Sequence, residues 1–461
     1  MAISSHNNFV FEVRRCQPEF VAPAKPTPYE FKQLSDIDDQ ECFRFHVPLL
    51  FFYANNPRME GSDPVKVIKK AISETLVFYY PFAGRLREGP GKKLFVECTA
   101  EGILFIEADA NVDLQQFGDA VQPPFAFLDD VLYNVPNSDG IINSPLLLVQ
   151  VTRLRCGGFI FAIRLNHTMT DGFGLMQFMN AVCEMACGDT APSVLPVWQR
   201  TLLNARDPPR VTHRHHEYDQ VVDTKQINIP LNEMAHRSVF FGPTEISTLR
   251  KTLPIHLRHC SSFDLITACL WRIRTIALQP NPNDEMRLLC VANLRSKSKY
   301  LPSGYYGNSF ALPAAVATAG NLCQNPLSYA VELIRKAKAK MTEEYMKSVA
   351  DFMVINGRPN LTAVRSYAVS DVTKTDFEKL DFGWGKPIFG GPAMGGVATV
   401  PGLTSFYISY KNKKGEQGIV VPFSLPVQAM ERFVVELDAV FKTKPLNEVG
   451  NTKKGFIRAA L

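Results

Sequence analysis

The sequence predicts an α/β protein whose sheets mix parallel and antiparallel strands, in preference to a doubly wound parallel sheet. Helical periods and β-hairpin patterns occur together in both halves of the chain, without the regular alternation of βαβ units. The 461 residues exceed what one hydrophobic core usually organises, which indicates two domains. A hydrophobic fraction of 46% and a charged fraction of 21% are typical of a globular protein.

The first half carries one clear helix and two pairs of strands. Asp63 followed by Pro64 predicts a helix start, and apolar residues from Ile68 to Leu76 recur every four positions. The stretches "LFVECT" and "ILFIEA" read as strands paired with each other. Residues 146–154 and 159–165 then form a predicted hairpin around a glycine-containing turn.

A proline-rich stretch at residues 188–210 separates the two halves and predicts a long crossover. We therefore expect an N-terminal domain over residues 1–187, a crossover over 188–225 and a C-terminal domain over 226–461. The second half ends on a predicted hairpin around Lys414, followed by an amphipathic helix.

Charge and composition argue against several classes of partner. The formal net charge of +5 comes from scattered lysines and arginines, so no nucleic-acid partner is expected. The sequence shows no secretory leader pattern and no apolar run near the ~20 residues that a bilayer needs, which predicts an intracellular protein without a membrane anchor. His213, His215 and His216 lie in a polar, proline-rich stretch and are predicted to be solvated, so no metal is expected.

The stretch "RLNHTMTDGFG" at residues 164–174 is the main candidate for chemistry. His167 is predicted to lie on a loop between the strand ending near residue 165 and an amphipathic helix. Asp171 is placed to cap that helix, and Gly172 permits a close backbone turn. An unperturbed pKa of ~6.5 suits histidine to proton transfer. Spacing alone leaves a buried structural histidine as the alternative.

A second motif, "DFGWG", comprises Asp381, Phe382, Gly383, Trp384 and Gly385. Its glycines indicate unusual backbone angles, and its tryptophan indicates packing. We interpret it as a structural turn, with a catalytic Asp381 as the alternative.

Together, "NHTMTDGFG" and "LDFGWGKP" resemble the two signatures of the plant BAHD acyl-CoA-dependent acyltransferases, in the same order and at a similar separation. Further stretches resemble blocks of that family along nearly the whole chain: "LSDIDDQ", "YYPFAGRL", "SSFDLITACLWRIRT" and "YYGNSF". The segments around residues 370–393 and 405–433 are most similar to alcohol acyltransferases that make volatile esters, in the benzyl alcohol benzoyltransferase group.

The resemblance implies two similar domains of mixed sheet with a channel at their interface. It implies that His167 lies in this channel as the general base for direct acyl transfer, with acyl-CoA as a co-substrate and no permanently bound cofactor. Asp171 would be a structural partner of Arg295. For CoA contacts it leaves Ser261, Ser262 and Arg295 as candidates. The usual Asp-x-Arg-x-Arg of the family is Asn293, Arg295 and Lys297 here, which departs from the pattern.

For substrates, the resemblance implies a benzoyl thioester and a small alcohol such as benzyl alcohol, and we expect a monomeric protein. Acetyl or hydroxycinnamoyl donors and a catalytically inactive binding protein are the alternatives. A condensation enzyme that takes acyl groups from a carrier protein is disfavoured, because position 166 is Asn and not a second histidine. The cytoplasm is the expected compartment, and the terminal Ala-Ala-Leu weakly resembles a peroxisomal signal.

Overall fold

The computed structural model of the chain describes residues 11–221, 233–295, 297–395 and 402–442. Two large mixed sheets, each with helices and an apolar core of its own, form most of this part. The predicted α/β class with mixed sheets is therefore confirmed. The predicted boundary between residues 225 and 226 and the terminal Ala-Ala-Leu lie outside the described residues.

The strands and helices follow one another along the chain as two series. The strands are β1 (Val13–Arg15), β2 (Glu19–Val21), β3 (Phe31–Gln33), β4 (His46–Tyr53), β5 (Arg85–Glu88), β6 (Leu94–Glu97), β7 (Ile103–Ala110), β8 (Leu147–Arg153), β9 (Phe159–Asn166), β10 (Met234–Phe241), β11 (Glu285–Cys290), β12 (Ala292–Asn293), β13 (Phe310–Ala311), β14 (Ala314–Thr318), β15 (Ser366–Asp371), β16 (Phe389–Pro392), β17 (Thr404–Lys411) and β18 (Gln417–Pro426). The helices are α1 (Pro64–Thr75), α2 (Leu128–Val131), α3 (Gly172–Ala186), α4 (Pro243–Lys251), α5 (Ser262–Leu278), α6 (Ala319–Gln324), α7 (Leu327–Ala339), α8 (Glu343–Ile355) and α9 (Val427–Lys442).

The first large sheet has the strand order β1-β7-β8-β9-β4-β16, with β2 also paired to β7. β7 and β8 run parallel, and the other neighbours are antiparallel. β8 and β9 form the predicted hairpin. The edge strand β16 comes from the second half of the chain, so the sheet that carries β9 is completed by a distant segment.

The second large sheet has the order β10-β18-β17-β15-β11-β14. β15 runs parallel to both β11 and β17, while the hairpin of β17 and β18 is antiparallel, as predicted. Helix α9 follows this hairpin and buries Met430, Phe433 and Leu437. The apolar spacing of the terminal segment therefore predicted its packing face correctly.

The predicted pairing of "LFVECT" with "ILFIEA" is wrong. β6 lies in a separate three-stranded sheet, where β3 and β5 occupy both of its edges. The chain then turns through Ala100 and Gly102, which have φ values of 57° and 96°. Ile103 consequently begins its strand opposite Val21 of β2, so β7 joins the first large sheet.

Helix α1 begins as the sequence predicted. Asp63 accepts a hydrogen bond from the backbone N–H of Val65, and Pro64 occupies the first turn. The Asp63 carboxylate also pairs with Arg153 of β8 at 2.7 Å, which ties the start of the helix to the sheet beneath it. Such caps are worth ~1 kcal/mol.

The proline-rich crossover lies against both halves of the chain. Val197 forms an isolated β-bridge with Tyr305, and a short 3-10 helix (Arg200–Leu203) follows. Arg200 is buried there, and Trp198 donates to the carbonyl oxygen of Gln33. Residues 197–203 of this stretch are therefore packed on the rest of the chain, and Arg200 reaches the loop of His167 through the carbonyl oxygen of Met169.

Two absences within the described ranges concern membranes and metal ions. In those ranges, no helix is long and apolar enough to cross a membrane. Within the same ranges, no group of three or more histidine, cysteine, aspartate or glutamate side chains is arranged to hold a metal ion.

Candidate active site

His167 lies on the predicted loop between β9 and α3. Its backbone N–H donates to the carbonyl oxygen of Phe45 at 2.9 Å, which fixes the start of the loop. The imidazole stacks on Phe43, with ring centroids 5.1 Å apart and an angle of 15° between the planes. Phe45 and Phe310 pack against the same ring, at 5.3 and 5.8 Å. Three aromatic rings from two separate segments thus set the position of the imidazole.

This apolar setting controls the protonation of His167. Burial lowers the pKa of His167 from its ordinary value, because the charged imidazolium loses hydration. The carbonyl of His167 itself, the negative charges of Asp171 and Asp38, and the side chain of Asn308 oppose that effect. Since desolvation is the largest contribution, the ring is neutral at pH 7 and can accept a proton.

Asp171 holds the start of α3 and does not contact the imidazole. Its Oδ1 accepts hydrogen bonds from the N–H groups of Phe173 and Gly174. Its Oδ2 pairs with the Arg295 guanidinium at 2.6 Å and accepts from the N–H of Ser309 at 3.1 Å. The carboxylate is therefore saturated by donors from both halves of the chain, and its geometry is that of a loop support.

Asp38 is a second buried carboxylate behind the loop. Its Oδ1 forms an ion pair with Arg200 at 2.8 Å, with both side chains almost fully buried. The same oxygen accepts from the backbone and side-chain N–H groups of Asn308, at 2.8 and 2.9 Å. Oδ2 accepts from the hydroxyl and backbone N–H of Ser35. This carboxylate joins three segments that are distant in sequence.

Arg200 and Asn308 extend this network to the loop itself. Arg200 donates to the carbonyl oxygen of Met169 at 2.8 Å. Asn308 donates to the carbonyl oxygen of His167 at 2.9 Å. The backbone on both sides of Thr168 is thus held by two side chains that also bind Asp38.

The neighbouring acidic residues of "LSDIDDQ" face other partners. Asp36 pairs with Lys93 at 2.5 Å and accepts from the backbone N–H of Ala205 in the crossover. Asp39 is fully buried and pairs with Arg44 and Arg358 at 3.1 and 3.0 Å. Burial raises the pKa of Asp39, while these cations and the N–H of Leu94 oppose the shift.

The "DFGWG" segment forms a turn packed on the first sheet. Gly383 and Gly385 have φ values of 104° and 90°, and Asp381 Oδ1 accepts from both of their N–H groups. Phe382 contacts Phe161 of β9, and Trp384 packs edge-on against Phe159. These hydrogen bonds of the Asp381 carboxylate close the turn, which supports the structural interpretation.

The predicted CoA contacts have local roles in the structure. Ser261 caps α5 through a hydrogen bond from the N–H of Asp264, and its hydroxyl donates to that carboxylate. Arg295 is engaged with Asp171, and Lys297 donates to the carbonyl oxygen of Met341. Ser262 is the first residue of α5. A role of these residues in holding CoA phosphates stays a prediction.

The prediction of a solvated loop at His213, His215 and His216 is wrong for His215. That side chain is buried, with Nδ1 3.0 Å from Glu217 and Nε2 2.9 Å from the Ser348 hydroxyl. These partners satisfy both ring nitrogens, which allows the imidazole to leave water.

A chain of hydrogen bonds runs from Ser348 through His215 to Glu217, in the order found in catalytic triads. The serine nevertheless cannot act as a nucleophile. Its oxygen also accepts from the backbone N–H groups of Thr212 and His213, at 3.0 and 3.1 Å. With its lone pairs occupied and its side chain fully buried, the hydroxyl is not available to attack an ester. The cluster instead holds the end of the crossover on α8.

Three residues with important contacts near His167 were not singled out from the sequence: Asp38, Arg200 and Asn308. Two of them lie in the quoted stretches "LSDIDDQ" and "YYGNSF", so the resemblance pointed to their segments. Arg200 had no such signal, because a single arginine in a proline-rich stretch is ordinarily exposed.

A family model described as "Transferase family" matches residues 11–440. The chain belongs to this family, and the resemblance to BAHD acyltransferases is confirmed.

Individual relatives are similar to the chain in sequence or in structure. The chain is 62% identical to the benzyl alcohol O-benzoyltransferases of Petunia hybrida and of Nicotiana tabacum, with 99% of each chain covered. Among solved structures it is similar to vinorine synthase, with a TM-score of 0.71 and 22% identity over 93% of this chain and 98% of that one. At that identity, the likeness to vinorine synthase supports the fold.

The first turn of α3 depends on Gly174 more than on Gly172. A Cβ on Gly174 would lie 2.1 Å from the carbonyl oxygen of Tyr306, whereas one on Gly172 would meet only Thr375, at 3.5 Å. We predict that Gly174→Ala lowers the free energy of unfolding by ~1–3 kcal/mol, as overpacking does. Chemical denaturation measures this, with Gly172→Ala as the matched control. Equal losses in the two variants would contradict the assignment.

Proposed function

We propose that the protein is an acyl-CoA:alcohol O-acyltransferase that transfers a benzoyl group to a small alcohol such as benzyl alcohol. The observation that carries this proposal is the 62% identity, over nearly the full chain, to two benzyl alcohol O-benzoyltransferases. The site supports it, because His167 is a neutral base set among aromatic rings. A planar aromatic acyl group suits such walls, which favour apolar contact.

In the proposed reaction, His167 removes the proton from the alcohol as its oxygen attacks the thioester carbonyl. The tetrahedral intermediate collapses with cleavage of the carbon–sulfur bond. The imidazolium returns the proton to the departing CoA sulfur, so that the histidine ends neutral. No acyl-enzyme is needed, and the sequence contains no Gly-x-Ser-x-Gly nucleophile motif.

Specificity in this proposal is set by shape and apolar burial, which discriminate weakly between similar alcohols. One methylene is worth ~1–3 kcal/mol in such a pocket. We therefore expect some activity with several small primary alcohols, and a larger difference between acyl donors of different size.

Replacement of the base tests the mechanism. His167→Ala is expected to lower kcat/KM by ~10² or more while the fold is kept, because an oriented general base contributes ~10²–10⁴. For the wild type, activity requires the neutral ring and is lost as pH falls through the pKa of His167. Since burial lowers this pKa, the acidic limb of kcat/KM should lie below the ordinary value of ~6.5. Near wild-type turnover in folded His167→Ala would refute the mechanism.

A substrate panel tests the proposed specificity. Benzoyl-CoA, acetyl-CoA and coumaroyl-CoA are each assayed with benzyl alcohol and with shikimate, and the ester is detected by mass. We predict the highest kcat/KM for benzoyl-CoA with benzyl alcohol. A preference for acetyl-CoA would keep the reaction and change the donor, and a preference for coumaroyl-CoA with shikimate would contradict the assignment. No turnover with any pair would favour a binding protein.

A further inference from the structure

Several buried polar atoms next to the loop lack hydrogen-bond partners within the described part of the chain, and two of them belong to residues that contact each other. These two are Nδ1 of His167 and Oδ1 of Asn308. A buried polar atom without a partner costs ~1–3 kcal/mol. A hydrogen bond from Nδ1–H to Oδ1 would satisfy both atoms, and Asn308 already contacts the backbone of His167.

The orientation of the Asn308 amide is fixed by its other end. Nδ2 lies 2.9 Å from Asp38 Oδ1, 2.9 Å from the His167 carbonyl oxygen and 3.4 Å from the Thr168 carbonyl oxygen. Three acceptors surround this atom, so it is the NH₂ group and the remaining atom is the oxygen. That oxygen can accept a hydrogen bond and cannot donate one.

The two nitrogens of the imidazole are also distinguishable. Nδ1 is buried, while the side chain as a whole is only partly buried. Nε2 is consequently the nitrogen that can reach a substrate. A base at Nε2 requires the neutral tautomer in which Nδ1 carries the proton, and this tautomer is selected by whichever acceptor faces Nδ1.

We propose that Asn308 is a positioning residue for the reaction, whose Oδ1 accepts a hydrogen bond from Nδ1–H of His167 while its Nδ2 donates to the His167 backbone carbonyl. The amide thus binds the histidine at Nδ1 and at its backbone carbonyl, and it leaves Nε2 free to take the alcohol proton. This role rests on the proposed function, because it concerns the base of that reaction. The backbone carbonyl of His167 also favours the protonated form of the ring.

Several charged groups bear on this ring besides Asn308. Asp171 on the same loop and Asp38 on the facing segment both favour its charged form. Arg295 and Arg200 pair with these carboxylates and limit their effect. A variant at position 308 keeps all four of these charged residues, and Asp38 keeps its ion pair with Arg200 and the backbone N–H of residue 308.

The tautomer can be measured directly in the wild-type full chain. Nitrogen NMR of the protein labelled with ¹⁵N-histidine, assigned by comparison with His167→Gln, distinguishes a protonated ring nitrogen from a bare one. At a pH where the ring is neutral, we expect Nδ1 protonated and Nε2 bare. The opposite tautomer would overturn the proposal, and this result needs no variant at position 308 to fold.

Two substitutions separate positioning from general structural support. Asn308→Leu and Asn308→Asp both lose the NH₂ group that binds Asp38, but only the aspartate keeps an acceptor towards Nδ1. We expect Asn308→Leu to lower kcat on the order of 10², with a smaller change in KM for benzoyl-CoA, and to move the acidic limb to lower pH. Asn308→Asp should recover part of kcat and move the limb to higher pH. If the acidic limbs of Asn308→Leu and Asn308→Asp moved in the same direction, the proposal would be overturned.

Gln150→Leu is the matched control, since it removes another fully buried side-chain amide, which bonds to Tyr133, Asp130 and Thr152. It should lose stability without moving the acidic limb, and a shift as large as that of Asn308→Leu would contradict the proposal. If the wild type showed the Nδ1–H tautomer but no acyl transfer with any donor, the proposed function would fail, the positioning role would fail with it, and only the tautomer of His167 would stand. Full turnover with the other tautomer would instead support the proposed function and overturn the positioning role.

Discussion

The ion pair between Asp38 and Arg200 is the interaction on which the arrangement around His167 depends. Both charges are almost fully buried, and the carboxylate also accepts from Asn308 and Ser35. A buried charge without its partner is costly, so each member of the set requires the others. Because Arg200 and Asn308 donate to backbone carbonyls of the loop that carries His167, the stretch that links the two halves and the second half of the chain jointly hold the histidine.

A second constraint is the apolar packing around the imidazole, which sets the protonation state of His167. Phe43 and Phe310 are both buried. Phe310 directly follows Asn308 and Ser309 in the sequence. Residues 308–310 therefore make three contacts with the loop. Asn308 donates to the His167 carbonyl, the backbone N–H of Ser309 donates to Asp171, and the Phe310 ring packs on the imidazole. The resulting desolvation favours the neutral ring, and Asp171, saturated by other donors, is left to shape the loop.

Local features were predictable from the sequence because they depend on neighbouring residues. The strand before His167, the helix after it, the cap at Asp171 and the turn at "DFGWG" all follow from periodicity and from glycine placement. The ion pair of Asp171 with Arg295 came from the family resemblance, and the structure contains it.

Features that depend on contacts between distant segments could not be read in this way. The need for glycine at position 174 arises from the Tyr306 carbonyl, which lies across the fold. His215 is buried only because Ser348 and Glu217 satisfy its ring. Likewise, β6 and β7 separate because other strands occupy the edges of β6. Local composition contains none of these partners.

A double-mutant cycle on Asp38 and Arg200 tests most directly whether this pair holds the loop of His167. The cycle compares kcat/KM for acyl transfer in the wild type, Asp38→Asn, Arg200→Met and the double variant, each confirmed as folded. If the pair acts as a unit, the two losses overlap, and the coupling free energy is at least ~1 kcal/mol. Losses that simply add, or single variants with wild-type turnover, would contradict a loop held by this ion pair.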